Sequence, residues 1–254
     1  MRGSYELELV VLSVIVAMAA SYTALDLARR VTASSGRAWR AWLVGGAFAM
    51  GAGIWSMHFI GMLAFRLPIR MAYDPWITLA SLLIAVVTSG FALAVVCRLA
   101  LISREEVDAP VLVAGGVIMG AGICGMHYTG MAAMRMAPPI EYDPLLFIAS
   151  MGVAVTASVA AVWLAFTLRR GGATRRIAQR ALGAAFMGLA IAGMHYTAMA
   201  AASFDPAAVC AVSSVYDVDN ERLAWSIAVT MIAILALTLA LPVAAVRTAP
   251  GRLP

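Results

Sequence analysis

Long apolar stretches, broken by short polar ones, run the whole length of the chain. Seven of them, at 8–27, 41–65, 76–98, 111–134, 145–168, 181–202 and 223–246, reach the roughly 20 residues that a helix needs to cross a bilayer. Strict two-residue alternation of apolar and polar positions is absent, which argues against a transmembrane barrel. The pattern predicts an all-α fold: a polytopic membrane protein with seven transmembrane helices. Tyr73-Asp74-Pro75 and Tyr142-Asp143-Pro144 place a good N-cap before a proline suited to the first helical turn, and mark the starts of the third and fifth spans. Phe204-Asp205-Pro206 repeats the pattern well ahead of the seventh span and predicts a short surface helix on the outer face.

Polar residues inside the apolar runs show that the chain is built from repeats. Its three histidines stand in one recurring phrase: Ser56-Met57-His58-Phe59-Ile60-Gly61-Met62, Gly125-Met126-His127-Tyr128-Thr129-Gly130-Met131 and Gly193-Met194-His195-Tyr196-Thr197-Ala198-Met199, spaced 69 and 68 residues apart. Gly46, Gly115 and Gly183 precede the histidines by 12 residues, and Gly51, Gly120 and Gly188 by 7. Gly53 and Gly122 stand 5 residues before, with Ala190 in the third copy; Gly61 and Gly130 follow by 3, with Ala198 in the third. Small residues let membrane helices approach closely. The even-numbered helices are therefore expected to form an inner, tightly packed set, and the odd-numbered ones, richer in Leu, Val and Ile, an outer ring. The repeats read as parallel copies of a helix pair, plus one extra helix. Each histidine precedes the end of its span by 7 residues, about 10 Å at the α-helical rise, so pseudo-threefold packing brings all three to one layer.

Composition and charge give the surroundings. Hydrophobic residues make up 63% of the chain and charged residues 12%, against about 25% charged in a soluble domain. All 18 basic residues are arginine. Thirteen of them (Arg29, Arg30, Arg37, Arg40, Arg98, Arg104, Arg169, Arg170, Arg175, Arg176, Arg180, Arg247 and Arg252) follow odd-numbered spans, and five (Arg2, Arg66, Arg70, Arg135 and Arg222) lie on the other side. The positive-inside rule then puts the N-terminus outside and the C-terminus in the cytoplasm. The net charge of +5 follows from that topology and calls for no nucleic acid. Ala17-Met18-Ala19 looks like a signal-peptidase site, but Glu6 and Glu8 flank the run where a signal peptide is basic, so the first helix reads as retained. Residues 1–250 are expected to form one membrane domain and 251–254 a cytoplasmic tail. Cys97, Cys124 and Cys210 show no metal or disulfide spacing, and Cys124, on roughly the same face as His127, reads as a small buried filler. Asp26 and the loop acids read as flanking charges.

An ionisable or coordinating side chain in a membrane span is costly and is read as functional by default. His58 with Met62, His127 with Met131 and His195 with Met199 are i, i+4 pairs on one helix face. Imidazole binds Cu, Zn, Fe or Ni, and thioether favours Cu(I). The preceding Met57, Met126 and Met194 are rotated by about 100° and need a favourable rotamer to join the same site. The competing explanation is plain packing: histidines bonded to Thr129, Thr197 or Ser56, and methionines as fillers. Three copies in register, which use every histidine in the chain, weigh for a shared site.

Met126-His127-Tyr128-Thr129 and Met194-His195-Tyr196-Thr197 spell the signature of the MHYT family, and Met57-His58-Phe59-Ile60 keeps its first half. Over nearly its whole length the chain resembles that family, with the motif on the second, fourth and sixth spans. The resemblance implies a bacterial inner-membrane sensory domain in signal transduction. It implies copper bound through the motif's Met and His residues, here His58, His127, His195, Met57, Met126 and Met194, and a response to oxygen, carbon monoxide or nitric oxide. It also implies a cytoplasmic signalling domain or partner protein, commonly one of cyclic-di-GMP turnover or a histidine kinase. Since the chain ends soon after its seventh span, it is expected either to signal through a separate partner or to be part of a longer protein. Phe59 and Ile60 lack the hydroxyls of the other copies, so the surroundings of the three histidines are expected to be unequal. A metal-transport protein using the same site is the alternative, and the lower halves of the even helices, mostly Gly, Ala, Val and Leu, show no evident path for it. Axial haem ligation conflicts with the tight glycine faces, and retinal is excluded because its Schiff base needs a lysine. A purely structural membrane anchor is a further reading. No Ser-His-Asp set, nucleotide loop or carboxylate cluster points to an enzyme.

Overall fold

The computed structural model describes residues 3–69, 71–102, 108–168, 173–207, 209–210 and 220–248. Seven helices, all long and apolar enough to cross a membrane, make up almost all of it: α1 Leu7–Thr32, α2 Gly36–Leu63, α3 Pro75–Ile102, α4 Ala109–Ala132, α5 Pro144–Thr167, α6 Ala173–Ala201 and α7 Asn220–Thr248. The all-α class and all seven expected spans are present, most of them extended by several residues at the arginine-rich end. The expected tail at 251–254 lies outside the described residues. The outer surface is studded with exposed Val117, Ile148, Leu182, Phe186 and Val229, an apolar rind suited to lipid rather than water.

Helices α1 to α6 each pack on their sequence neighbours, and α6 returns to α1, so six helices close a ring; α7 lies outside it against α1 and α2. This corrects the expectation of an inner even set. The glycines explain why. A Cβ at Gly51 would stand 2.5 Å from Val86 Cα, one at Gly120 2.7 Å from Val155 Cα, and one at Gly188 2.8 Å from Met18 Cα. These glycines thus set α2 on α3, α4 on α5 and α6 on α1. Gly53 meets Ala20 of α1 and Gly122 meets Thr88 of α3 on the opposite flank. Close approach serves even–odd contacts on both sides, which builds an alternating ring with pseudo-threefold symmetry.

Short strands cover the motif end of the ring. β1 (Ser4–Tyr5) pairs with β2 (Phe65–Arg66), β3 (Met136–Ala137) with β6 (Val209–Cys210), and β4 (Glu141–Tyr142) with β5 (Ala202–Ser203), all antiparallel. Asp74 Oδ1 accepts from the Trp76 and Ile77 amides and Asp143 Oδ1 from that of Leu146, the expected caps of α3 and α5. The amides of Ile77 and Trp76 and the Arg135 guanidinium hold the Asp74 carboxyl below its ordinary range. Burial pushes the Tyr142 phenol of β4 up to about 12. The third Asp-Pro pair differs from expectation. Asp205 Oδ1 accepts from Ala207 N in a turn that leads toward β6, not in the first turn of a helix. Once α6 ends, β5 and β6 draw this segment into the strands, so its aspartate caps a turn.

Candidate metal centre

Each even helix delivers one histidine to the ring axis near the motif end. His58, His127 and His195 are fully buried, and a nitrogen from each lies within 4.8 Å of the others. The rings meet edge to face, with centroids 4.7, 5.1 and 5.2 Å apart. His58 Nδ1 and His195 Nδ1 lie 3.2 Å apart, so one ring donates and the other accepts. The remaining ring nitrogens, His58 Nε2, His195 Nε2 and both of His127, have no hydrogen-bond partner.

The rings fit because of the small residue three places after each histidine. A Cβ at Gly61 would collide with His195 Nε2, and one at Gly130 with His58 Nε2. Each of these imidazoles thus leans on the backbone of another repeat's helix. The third repeat has Ala198, itself fully buried, which makes the layer unequal at that point.

The methionines divide into two groups. Met62, Met131 and Met199 share one buried cluster with Met134 and Phe204, roofed by Phe65, Leu67, Tyr73 and Met136. They follow the histidines by one turn and close the layer on the strand side. Met57, Met126 and Met194 disperse: the first joins α1 and α7 residues such as Leu9 and Ala228, the second joins Ile54 and Ala85, and the third lies in the main core. Cys124 is a buried free thiol in that core.

Around the histidines, the aromatic residue of each motif stands edge-on to its own imidazole: Phe59 at 5.1 Å, Tyr128 at 4.9 Å and Tyr196 at 4.8 Å. Tyr128 Oη lies 2.8 Å from Ser150 Oγ, and Tyr196 Oη 2.8 Å from Ser13 Oγ. These serines donate to Phe147 O and Val10 O, so the phenols are the donors to them. Phe59 has no hydroxyl, yet the first copy keeps the bond. Trp55, four residues earlier and stacked on Phe59 at 4.5 Å, donates through Nε1 to Ser81 Oγ at 3.1 Å. Sequence reasoning missed Ser13, Ser81 and Ser150, although their 68- and 69-residue spacing repeats that of the histidines. The expected serine and threonine partners of the histidines are otherwise placed: Thr197 Oγ1 donates to Gly193 O, and Ser56 Oγ has no partner.

At the opposite end, Asp26 is not the flanking charge expected. It is 4% exposed and pairs with Arg29 and Arg30 of its own helix and Arg180 of α6. Arg30 also donates to Leu239 O of α7 at 3.2 Å and stands 5.0 Å over the Trp42 ring of α2. The last turns of α1 are covered by α2, α6 and α7, so a carboxylate that looks peripheral in sequence becomes a hub between four helices.

The repeats match the model of the MHYT family, described as a bacterial signalling protein N-terminal repeat, at residues 51–107, 120–178 and 188–253. The chain belongs to the MHYT family. It is 52% identical over 238 residues to the bifunctional diguanylate cyclase/cyclic di-GMP phosphodiesterase MucR of Pseudomonas aeruginosa, covering 93% of this chain and 33% of that protein. The signaling protein YkoW of Bacillus subtilis is 36% identical over 230 residues, covering 90% and 28%. The cyclic di-GMP phosphodiesterase NbdA of P. aeruginosa is 39% identical over 224 residues, covering 87% and 28%. The chain therefore spans about a third or less of the length of these MHYT relatives. No solved structure matches it.

Proposed function

We propose that the chain is the membrane sensor of a bacterial signalling system, set in the plasma membrane with its N-terminus outside and its C-terminus in the cytoplasm. On this reading His58, His127 and His195 bind copper. The observation that carries it is the closed layer of three fully buried imidazoles with four unpartnered nitrogens. A buried polar atom without a partner is costly, and a shared metal ion relieves three at once. Three nitrogens bound at about 2.0 Å lie about 3.5 Å apart, so nitrogens within 4.8 Å of one another reach that geometry by small ring rotations. Met62, Met131 and Met199 are the thioethers best placed to join them, which favours copper in its reduced state. The dispersed Met57, Met126 and Met194 serve packing.

Bound there, copper supplies a position for a diatomic ligand (oxygen, carbon monoxide or nitric oxide) and a one-electron couple. The protein's own part is to turn a change at the three rings into helix movement. His58 and His195 rest on the backbones at Gly130 and Gly61, so a reoriented ring displaces a neighbouring helix. A ligand drives this only if it binds the two packings with different affinity. Output passes to a cytoplasmic signalling domain or partner, as the relatives' names suggest; the membrane unit itself is not the enzyme. Infrared spectroscopy of Cu(I)-loaded protein under carbon monoxide tests the gas reading. A bound C–O stretch is expected in the wild type and not in the His58→Ala/His127→Ala/His195→Ala variant; a wild type without one contradicts it.

A further inference from the structure

The even helices carry another set of methionines in register, outside the histidine phrases. Met50, Met119 and Met187 each stand eight residues before the histidine of their helix, about 12 Å further from the motif end. They are 7%, 6% and 7% exposed. Two cavities of about 30 Å³ each lie inside the ring. The one nearer the histidines is walled by Ser21, Ile54, Ser158 and the three methionines among others. The second is framed by residues from all six ring helices and shares the same three methionines. Thioethers from three helices thus converge on the axis, as the common wall of both spaces. Ile54, Ile123 and Ile191, each four residues before a histidine, separate them from the imidazoles.

A second observation falls at the same depth. Ser21, Ser89 and Ser158 follow Ser13, Ser81 and Ser150 by eight residues each. They are 2%, 1% and 1% exposed, and none of their hydroxyl oxygens has a hydrogen-bond partner. Ser21 and Ser158 face the upper cavity. Buried hydroxyls normally find partners, and three unpartnered ones in register, two of them on the wall of a cavity, point to a ligand.

We propose that this layer is a second metal site, for a soft monovalent cation of the Cu(I) class, held by the sulfurs of Met50, Met119 and Met187. Neutral thioethers select Cu(I) over hard cations. A divalent ion would bring a second uncompensated charge into an apolar interior, and no carboxylate lines either cavity. The serine oxygens give the ion, or a water on it, polar neighbours. The site stands independently of the histidine layer, and either can fail while the other holds.

The test is anaerobic titration of the full chain in detergent with Ag(I), a soft ion of the same charge. Bound silver is measured by mass spectrometry and its ligands by X-ray absorption. Met50→Leu/Met119→Leu/Met187→Leu is close to volume-conserving, and circular dichroism checks its fold. It is expected to bind about one ion fewer per chain than the wild type. The His58→Ala/His127→Ala/His195→Ala variant is expected to keep a sulfur-only site that disappears when the leucine changes are added. Equal stoichiometry in the wild type and the leucine variant overturns the proposal, as does a sulfur-only site that survives in the combined variant, which assigns it to Met62, Met131 and Met199. Unchanged binding in the histidine variant counts against the histidine site alone. Should the triple leucine variant not fold, Met119→Leu by itself is expected to weaken Ag(I) by about tenfold or more; unchanged affinity overturns the proposal equally.

Discussion

Two buried polar clusters sit at opposite ends of one helix ring, and they are built on opposite terms. At the arginine end every charge on Asp26 is answered: three guanidinium groups converge on one carboxylate, two of them little exposed. At the motif end three imidazoles crowd together with one hydrogen bond among them and four nitrogens unpartnered. The ion-paired cluster ties α1 to α6, although Arg29 Nε and Arg30 Nη1 have no hydrogen-bond partner. The histidine cluster, with glycines cut to fit its rings, leaves coordinating nitrogens free of hydrogen bonds. Removing a member should therefore have very different consequences at the two ends.

The largest effect is expected from Asp26→Asn. It leaves Arg30 and Arg180, with side chains 12% and 11% exposed, without their carboxylate. Breaking a buried pair in this way costs about 3–5 kcal/mol, to be read as a fall in the unfolding midpoint in detergent. Gly130→Ala comes next. Its methyl collides with the His58 ring, and overpacking of this kind costs about 1–3 kcal/mol; both melting temperature and copper binding should fall. His127→Leu sharpens the contrast, because neither nitrogen of that ring has a partner. The metal-free protein should lose less than about 1.5 kcal/mol, while copper binding is lost. A metal-free loss as large as that of Asp26→Asn would mean that the histidine layer is structural after all.

Smaller still is Tyr128→Phe, which removes the bond to Ser150 at a cost of about 1 kcal/mol. Phe59→Tyr should bring no matching gain, since Ser81 already accepts from Trp55. The smallest effect depends on pH. The Asp74 carboxyl lies below its ordinary value of 3.8, so its cap and its pairing with Arg135 stabilise the fold fully above that value. The contribution disappears as pH falls through the lowered one. Melting curves of the wild type and Asp74→Asn should converge in acid and separate toward neutral pH.

The helices were legible because twenty-residue apolar runs leave few alternatives, and the layer of three histidines because the repeat places each at one depth. The arrangement of the ring was not. Small residues announce a close approach without naming the neighbour, and Gly51 and Gly53 turn out to face different helices. Asp26 was misread because a charge near a helix end is normally solvated, and sequence does not show that α2, α6 and α7 cover that turn. Ser13, Ser81 and Ser150 escaped because a lone serine in an apolar helix is unremarkable until its spacing is compared with that of the histidines. The substitution of Trp55 for a missing tyrosine hydroxyl involves two positions of one helix and emerges only when side chains are placed.

Whether the three histidines form one metal site can be measured. Mass spectrometry of metals bound to the purified chain, beside its His58→Ala/His127→Ala/His195→Ala variant, tests it most directly. Stoichiometric copper at the histidine layer of the wild type, lost in the variant, is the expected result. Wild-type protein that takes up no copper at that layer, or a variant that retains all of it, would mean that the three histidines do not form a metal site.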